Sequence, residues 1–263
     1  MLGFNGGLMG VRRTPTGSAA SGLWFQNEQS VAKRAAIWPA AGGDEYWANV
    51  SLLLHMDGSN GSTTFTDSSS NAFTVTANGN AQISTAQSKF GGASGLFDGT
   101  GDWLSIPEAS ALELSADFTI ECWIRTSSTS DMVIGSSKNG TNTQILRINS
   151  GSSGNLDFYA PVYGWVYQGV AAGITTSTWH HLALTRSGSN TRMFVDGVQK
   201  GTTVTDWTGT IAMDIVGALF IGGSHYTAPA IDFNGYIDDL RITKGVARYT
   251  ANFTAPAAAF PDA

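Results

Sequence analysis

The sequence predicts an all-β protein, an antiparallel two-sheet sandwich preceded by an extended N-terminal arm. Three observations carry that prediction. Apolar residues arrive in short alternating runs, not helical stripes. Glycine is frequent, at 32 of 263 residues, which suits tight turns between many short strands. Charged residues are sparse at 13%, while aromatics at 11% supply burial that a disordered chain lacks.

Taken in order, residues 1–45 read as an arm and linker. Gly6, Gly7, Pro15, Gly17 and Gly22 discourage regular structure before residue 23, and Ala40 to Gly43 reads as the linker. The arm also holds Trp24, Phe25, Ile37 and Trp38, each costing roughly 1.5–3 kcal/mol to leave in water. Residues 1–40 carry Arg12, Arg13, Lys33 and Arg34 against Glu28, about +3, while the rest of the chain is about −9, for a net charge of −6. A greasy, basic arm on an acidic body is expected to dock, through Arg12, Arg13, Trp24, Phe25, Lys33, Arg34 and Trp38, either on its own domain or on a neighbouring subunit or assembly. Four basic residues do not make a nucleic-acid site.

Residues 46–250 read as the sandwich and 251–263 as a tail, small and apolar from Pro256 onward. Val50 to Met56 is a nearly continuous apolar run, as in a core strand. Phe73 to Thr76 alternates; Ser94 to Asp98 and Asp102 to Ile106 flank the turn Gly99-Thr100-Gly101. In Asp117 to Arg125, Phe118, Ile120, Cys122 and Ile124 share one face and Thr119, Glu121, Trp123 and Arg125 the other. Cys122 is thereby a small core residue, and a single cysteine excludes an internal disulfide framework. Further strands are expected at 132–134, 144–148, 156–159, 162–168, 179–186, 191–196, 215–221 and 233–242. Asp196-Gly197 between Val195 and Val198 is a two-residue hairpin signal.

Six segments, in order, resemble the bacterial and phage branch of the laminin-G-like, concanavalin A-like jelly roll: Leu53 to Asp57, Phe97 to Leu104, Phe118 to Trp123, Trp179 to Ala183, Phe194 to Gly197 and Gly235 to Ile242. Gly7 to Arg13 and Gly22 to Gln29 resemble leaders of phage virion proteins that bear this domain. The resemblance implies a non-enzymatic virion surface protein, a capsid decoration or a tail or fibre component, held by its arm to other virion proteins and present as a homo-oligomer. The alternative it implies is a glycan-binding receptor-recognition protein of a tail fibre. With no basic-then-apolar leader and no membrane-length apolar run, the expected setting is synthesis in the host cytoplasm and residence in the virion, without membrane insertion.

Members of this fold often hold one structural calcium joining the first and last strands, which makes Asp57, Asp98, Asp102, Asp238 and Asp239 the candidate ligands. For glycans, Tyr163, Trp165 and Tyr167 share strand parity and are expected to form one aromatic row, with Trp207, His225 and Tyr226 as loop candidates. Such a row stacks on sugars or packs in an interface; both readings stay open. No catalytic residue is assigned. Glu121 has no carboxylate partner two or four residues away and reads as solvated, His180-His181 reads as packing with a satisfied ring, and no Gly-x-Ser-x-Gly elbow or HExxH spacing occurs.

Overall fold

The computed structural model describes residues 43–263 except 129–130, 139–140, 150–153, 161–162, 207–212, 215–216 and 224–231. The arm residues Arg12, Arg13, Trp24, Phe25, Lys33, Arg34 and Trp38 lie outside the described residues, as do Trp207, His225 and Tyr226. The chain divides into two units, Met1–Trp47 with Pro261–Ala263, and Ala48–Phe260. In the described part of the first, Asp44 caps a turn, its carbonyl accepting from Trp47 N at 3.0 Å and its carboxylate from Tyr46 N at 2.9 Å.

The second unit is built of strands β1 (Val50–Leu54), β2 (Thr64–Thr66), β3 (Thr74–Asn78), β4 (Gln82–Ser84), β5 (Ser94–Asp98), β6 (Trp103–Ile106), β7 (Glu113–Leu114), β8 (Phe118–Thr126) and β9 (Asp131–Lys138). It continues with β10 (Thr141–Asn149), β11 (Asn155–Ala160), β12 (Gly164–Ala171), β13 (His180–Ser187), β14 (Asn190–Val195), β15 (Val198–Thr205), β16 (Met213–Asp214), β17 (Ala218–Ile221) and β18 (Asn234–Lys244). One eight-stranded sheet runs β15-β14-β13-β8-β18-β5-β4, with β1 also on β18; the other large sheet runs β12-β11-β10-β9-β17-β6-β3-β2, and β16 and β7 form a small two-stranded sheet. All described pairings are antiparallel.

The core lies between the sheets and follows the alternation. Phe118, Ile120, Cys122 and Ile124 of β8 meet Leu182 and Leu184 of β13 and, from the second sheet, Leu156, Phe158, Leu219 and Ile221. The β14–β15 hairpin turns on Asp196 and Gly197, at φ 52° and 77°, both in the left-handed region that the Asp-Gly pair tolerates. β18 is the organising strand: β8 pairs along one edge, while β5 takes Asn234 to Ile237 and β1 takes Leu240 to Thr243 on the other.

The outer face of the first sheet is covered. Thr119 Oγ1 donates to Val246 O (3.0 Å), Thr185 Oγ1 to Tyr249 O (2.9 Å) and Phe253 N to Gly197 O (2.9 Å), so residues 246–260 run over β8, β13 and β14. Tyr249 and Phe253 stack at 3.5 Å, and Phe260, 4% exposed, lies 3.8 Å from the Arg241 guanidinium. Beneath this cover sits Glu121, 1% exposed, against the expectation of a solvated side chain. Strand parity correctly turned it away from the inter-sheet core; the returning chain then removed it from water.

Candidate functional site

β10, β11 and β12 form one end of the second sheet, and their outward residues, with Tyr163 in the turn just before β12, make an aromatic patch. Tyr163 and Trp165 are 42% and 39% exposed, against a molecule whose large side chains are mostly buried. Tyr159, opposite Trp165 across β11–β12, meets it edge-on with centroids 5.1 Å apart. The Arg147 guanidinium lies 4.7 Å from the Trp165 ring centroid, a cation–π distance, and Arg147 Nε donates to Asp157 Oδ2 at 2.6 Å. Asp157 Oδ1 accepts from Gly169 N at 2.5 Å, which holds the carboxylate beneath the patch.

Tyr167 does not join this row. Phe158 pairs with Tyr167 but Tyr159 pairs with Trp165, so Val166 is an extra residue and β12 bulges there. The bulge reverses the parity. Tyr167 turns into the core at 4% exposure, its hydroxyl reaching Thr191 O at 2.8 Å and Thr202 O at 2.9 Å, and burial raises its pKa to about 12. Arg147 is the patch residue sequence reading missed. Tyr159 alternates visibly with Phe158, whereas Arg147 carries no local signal.

The five candidate metal carboxylates do not converge; they fall into two groups. Asp98 pairs with Asn234 at the start of β18, and Asp238 lies four residues further along, roughly 13 Å away at 3.3 Å per residue. In the first group Asp102, fully buried, accepts from Asn80 N at 2.5 Å and Asp98 N at 2.8 Å, stitching the glycine turn. Burial raises its pKa despite those bonds. These oxygens are committed to backbone N–H groups.

In the second group Asp238 Oδ2 accepts from Lys89 N (2.7 Å) and Phe90 N (3.1 Å), while Oδ1 is buried with no hydrogen-bond partner. Burial, with repulsion from Asp239 and Asp57 added, raises the Asp238 pKa to about 7. Asp57 is raised too, by burial first, with Asp239 adding and His55 opposing. Its carboxylate sits where a Cβ on Gly91 would fall, so Asp57 and Asp238 flank the turn from Lys89 to Gly92. Asp239 is otherwise engaged. At φ 47° it occupies a bulge in β18, and its oxygens bind His55 Nδ1 (2.7 Å) and Phe260 N (2.6 Å). Among the described residues no three His, Cys, Asp or Glu side chains form a metal centre.

Glu121 is sealed from any substrate. Arg241 Nη2 and Nε donate to Oε1 at 2.7 and 3.0 Å, Tyr249 Oη donates to Oε2 at 2.8 Å, and His181 Nε2 lies 3.3 Å from Oε2. Burial alone favours the neutral acid, but His181 and Arg241 outweigh it and hold the pKa at about 2. The Tyr249 hydroxyl is pushed upward by burial and by the Glu121 charge. His180 is the satisfied ring expected, Nδ1 against Asp196 Oδ2 at 2.7 Å and Nε2 accepting from Thr175 N at 3.1 Å, whereas the buried His181 Nδ1 has no hydrogen-bond partner, against the same expectation.

Two antiparallel sheets packed face to face define a sandwich of the lectin-like class. Residues 98–248, more than half of the chain, match the family model of the concanavalin A-like lectin/glucanases superfamily, and the chain belongs to that family. No curated protein sequence matches it. Among solved structures it is similar to domain 4 of AbnA, an extracellular family GH43 arabinanase of Geobacillus stearothermophilus, in complex with arabinotriose. That likeness has 18% identity, a TM-score of 0.52, and coverage of 76% of this chain and 94% of that one. It is similar to the ligand-binding domain of botulinum neurotoxin serotype D in complex with N-acetylneuraminic acid (15% identity, TM-score 0.53, 77% of this chain and 50% of that one). It is also similar to the binding domain of Paraclostridial Mosquitocidal Protein 1 (13%, TM-score 0.52, 76% and 50%). The chain thus spans about half the length of the two toxin domains. At these identities the likeness is one of fold.

Proposed function

We propose that the Ala48–Phe260 unit is a non-catalytic glycan-binding module that takes a sugar on the patch of Tyr163, Trp165 and Tyr159. The observation that carries this reading is the exposure of Trp165 and Tyr163 on a family scaffold whose other large aromatics, among the described residues, are buried or half-buried. An indole and a phenol on a rigid strand offer apolar faces to the C–H face of a pyranose and a polar rim to its hydroxyls. Two relatives in fold are known in complex with saccharides. The one strand glutamate considered for acid–base chemistry is sealed beneath residues 246–260. Binding of the full chain to a glycan array, followed by titration of the hits, tests the proposal. Trp165→Ala should weaken binding at least tenfold with the melting temperature unchanged. An array with no hits, or hits that Trp165→Ala retains, would refute it.

The setting we propose is the surface of a phage particle, on the strength of the resemblance of Gly7 to Arg13 and Gly22 to Gln29 to virion leaders. There residues 1–45 would dock several copies on other virion proteins. Deleting residues 1–40 should leave a folded β-domain that no longer joins particles; retained incorporation would contradict the arm's role.

We propose that a structural calcium ion would sit at the Asp57–Asp238 end of the sandwich, where a buried carboxylate oxygen lacks a partner and the Asp57 charge adds to the burial that raises the Asp238 pKa. Asp57 and Asp238 would hold it together with backbone carbonyl oxygens, and its contribution would be to cancel like charge between the end of β1 and β18.

A further inference from the structure

Three adjacent strands place Arg147, Asp157 and Trp165 in a row: Arg147 is directly paired with Asp157, and Tyr159 with Trp165. The guanidinium lies against the indole at 4.7 Å while its Nε is bound to Asp157 at 2.6 Å. Asp157 is completely buried, and its other oxygen is held by Gly169 N. Its position is therefore fixed from two sides. An arginine beside an exposed tryptophan would ordinarily invite a carboxylated sugar, because its fork of N–H donors matches a carboxylate. Here that charge is already matched within the protein, and the chain as a whole carries −6. A uronate or sialoside arriving at Trp165 meets a compensated cation on an acidic body. A neutral pyranose loses nothing, since its stacking and hydroxyl contacts need no net charge.

We infer that Asp157 is a specificity-determining residue: by cancelling Arg147 it makes the Trp165 patch select neutral pyranosides over carboxylated sugars. The inference rests on the glycan-binding reading and names the ligand class of that same site. The test titrates the full chain with gluco-, galacto- and manno-oligosaccharides and with their uronate counterparts, which differ only at C6. Titrations at about 20 mM and about 500 mM NaCl bracket the screening range.

The wild type should bind a neutral oligosaccharide with affinity constant within about twofold across salt, and the matched uronate about tenfold or more weakly. Asp157→Asn, isosteric and able to keep the Gly169 contact, removes the carboxylate charge that lies against the Arg147 guanidinium. It should raise uronate affinity about tenfold at low salt, lose that gain at high salt, and leave neutral affinity within about threefold. Adding Arg147→Gln should restore the neutral preference. Wild-type uronate binding equal to or tighter than neutral binding overturns this inference while leaving the glycan-binding reading intact. An unchanged ratio in a folded Asp157→Asn, checked by its melting profile, overturns it likewise. Absence of any glycan binding overturns both. Should Asp157→Asn not fold, the wild-type uronate and salt comparisons decide alone.

Discussion

Replacing Glu121 by Gln keeps the shape of the side chain and removes one charge from a sealed network. Arg241, 4% exposed and roofed by Phe260, is then a buried cation facing a neutral amide, with Arg248 Nε 3.8 Å from the same position. Breaking one partner of such a pair costs about 3–5 kcal/mol. The wild-type pKa gives a comparable figure. A shift from 4.5 to about 2 corresponds to about 3 kcal/mol of pH-dependent stability at 1.36 kcal/mol per pKa unit. Because the folded-state pKa is depressed, that stability is fully present above about pH 4.5 and is lost as pH falls toward about 2. Urea unfolding followed by tryptophan fluorescence from pH 2 to 7 measures both quantities. Glu121→Gln should lower stability at pH 7 by about 3–5 kcal/mol, and the melting temperature by about 10 °C, and should flatten the acid limb. Replacing the pair together, Glu121→Leu with Arg241→Met, should recover most of the loss. A Glu121→Gln variant within about 1 kcal/mol of wild type that keeps the full acid limb would refute the network's role.

Phe260→Ala should cost about 3 kcal/mol in the same assay, because the ring fills a closed site over Arg241; a change below about 0.5 kcal/mol would mean that the tail adds little. If calcium occupies the Asp57–Asp238 end, adding it at 100 times its Kd should raise stability by about 2.7 kcal/mol over the chelated protein, and Asp238→Asn should abolish that difference; identical melts with calcium and chelator would remove the ion from the account. Cys122, completely buried and with its thiol pKa raised by burial and the Glu121 charge, should resist a thiol reagent in the folded protein and react fully in urea. Rapid labelling of the native state would contradict its place in the core.

Strands were legible where one local rule governs. The Phe118, Ile120, Cys122, Ile124 alternation set the core face of β8, and Asp196-Gly197 set the β14–β15 hairpin, because side-chain period and positive φ are properties of adjacent residues. The short strands β2, β4, β7 and β16 were missed, since two or three residues carry no period. The site was less legible for the same reason. One inserted residue, Val166, turned Tyr167 inward and left Trp165 outside, and a bulge is invisible to parity counting. Glu121 was placed on the right face with the wrong environment, since nothing near residue 121 announces that Tyr249 returns to cover it. The five aspartates were expected together at the sheet ends, but strand register separates Asp98 from Asp238 along one edge.

The strand Asn234–Lys244 has a consequence for how the chain reaches this state. Without it, the first sheet is a four-stranded block ending at β8, a separate β4–β5 hairpin and an unpaired, wholly buried-type β1, all with open edges. Val50 must wait for Thr243, close to two hundred residues later in synthesis, before its hydrogen bonds can form. Assembly of such distant partners is slow and leaves adhesive edges bare meanwhile. On the ribosome, the nascent sandwich therefore stays unclosed until β18 has emerged, and its yield in a cell depends on what shields β1 and β8 during that wait.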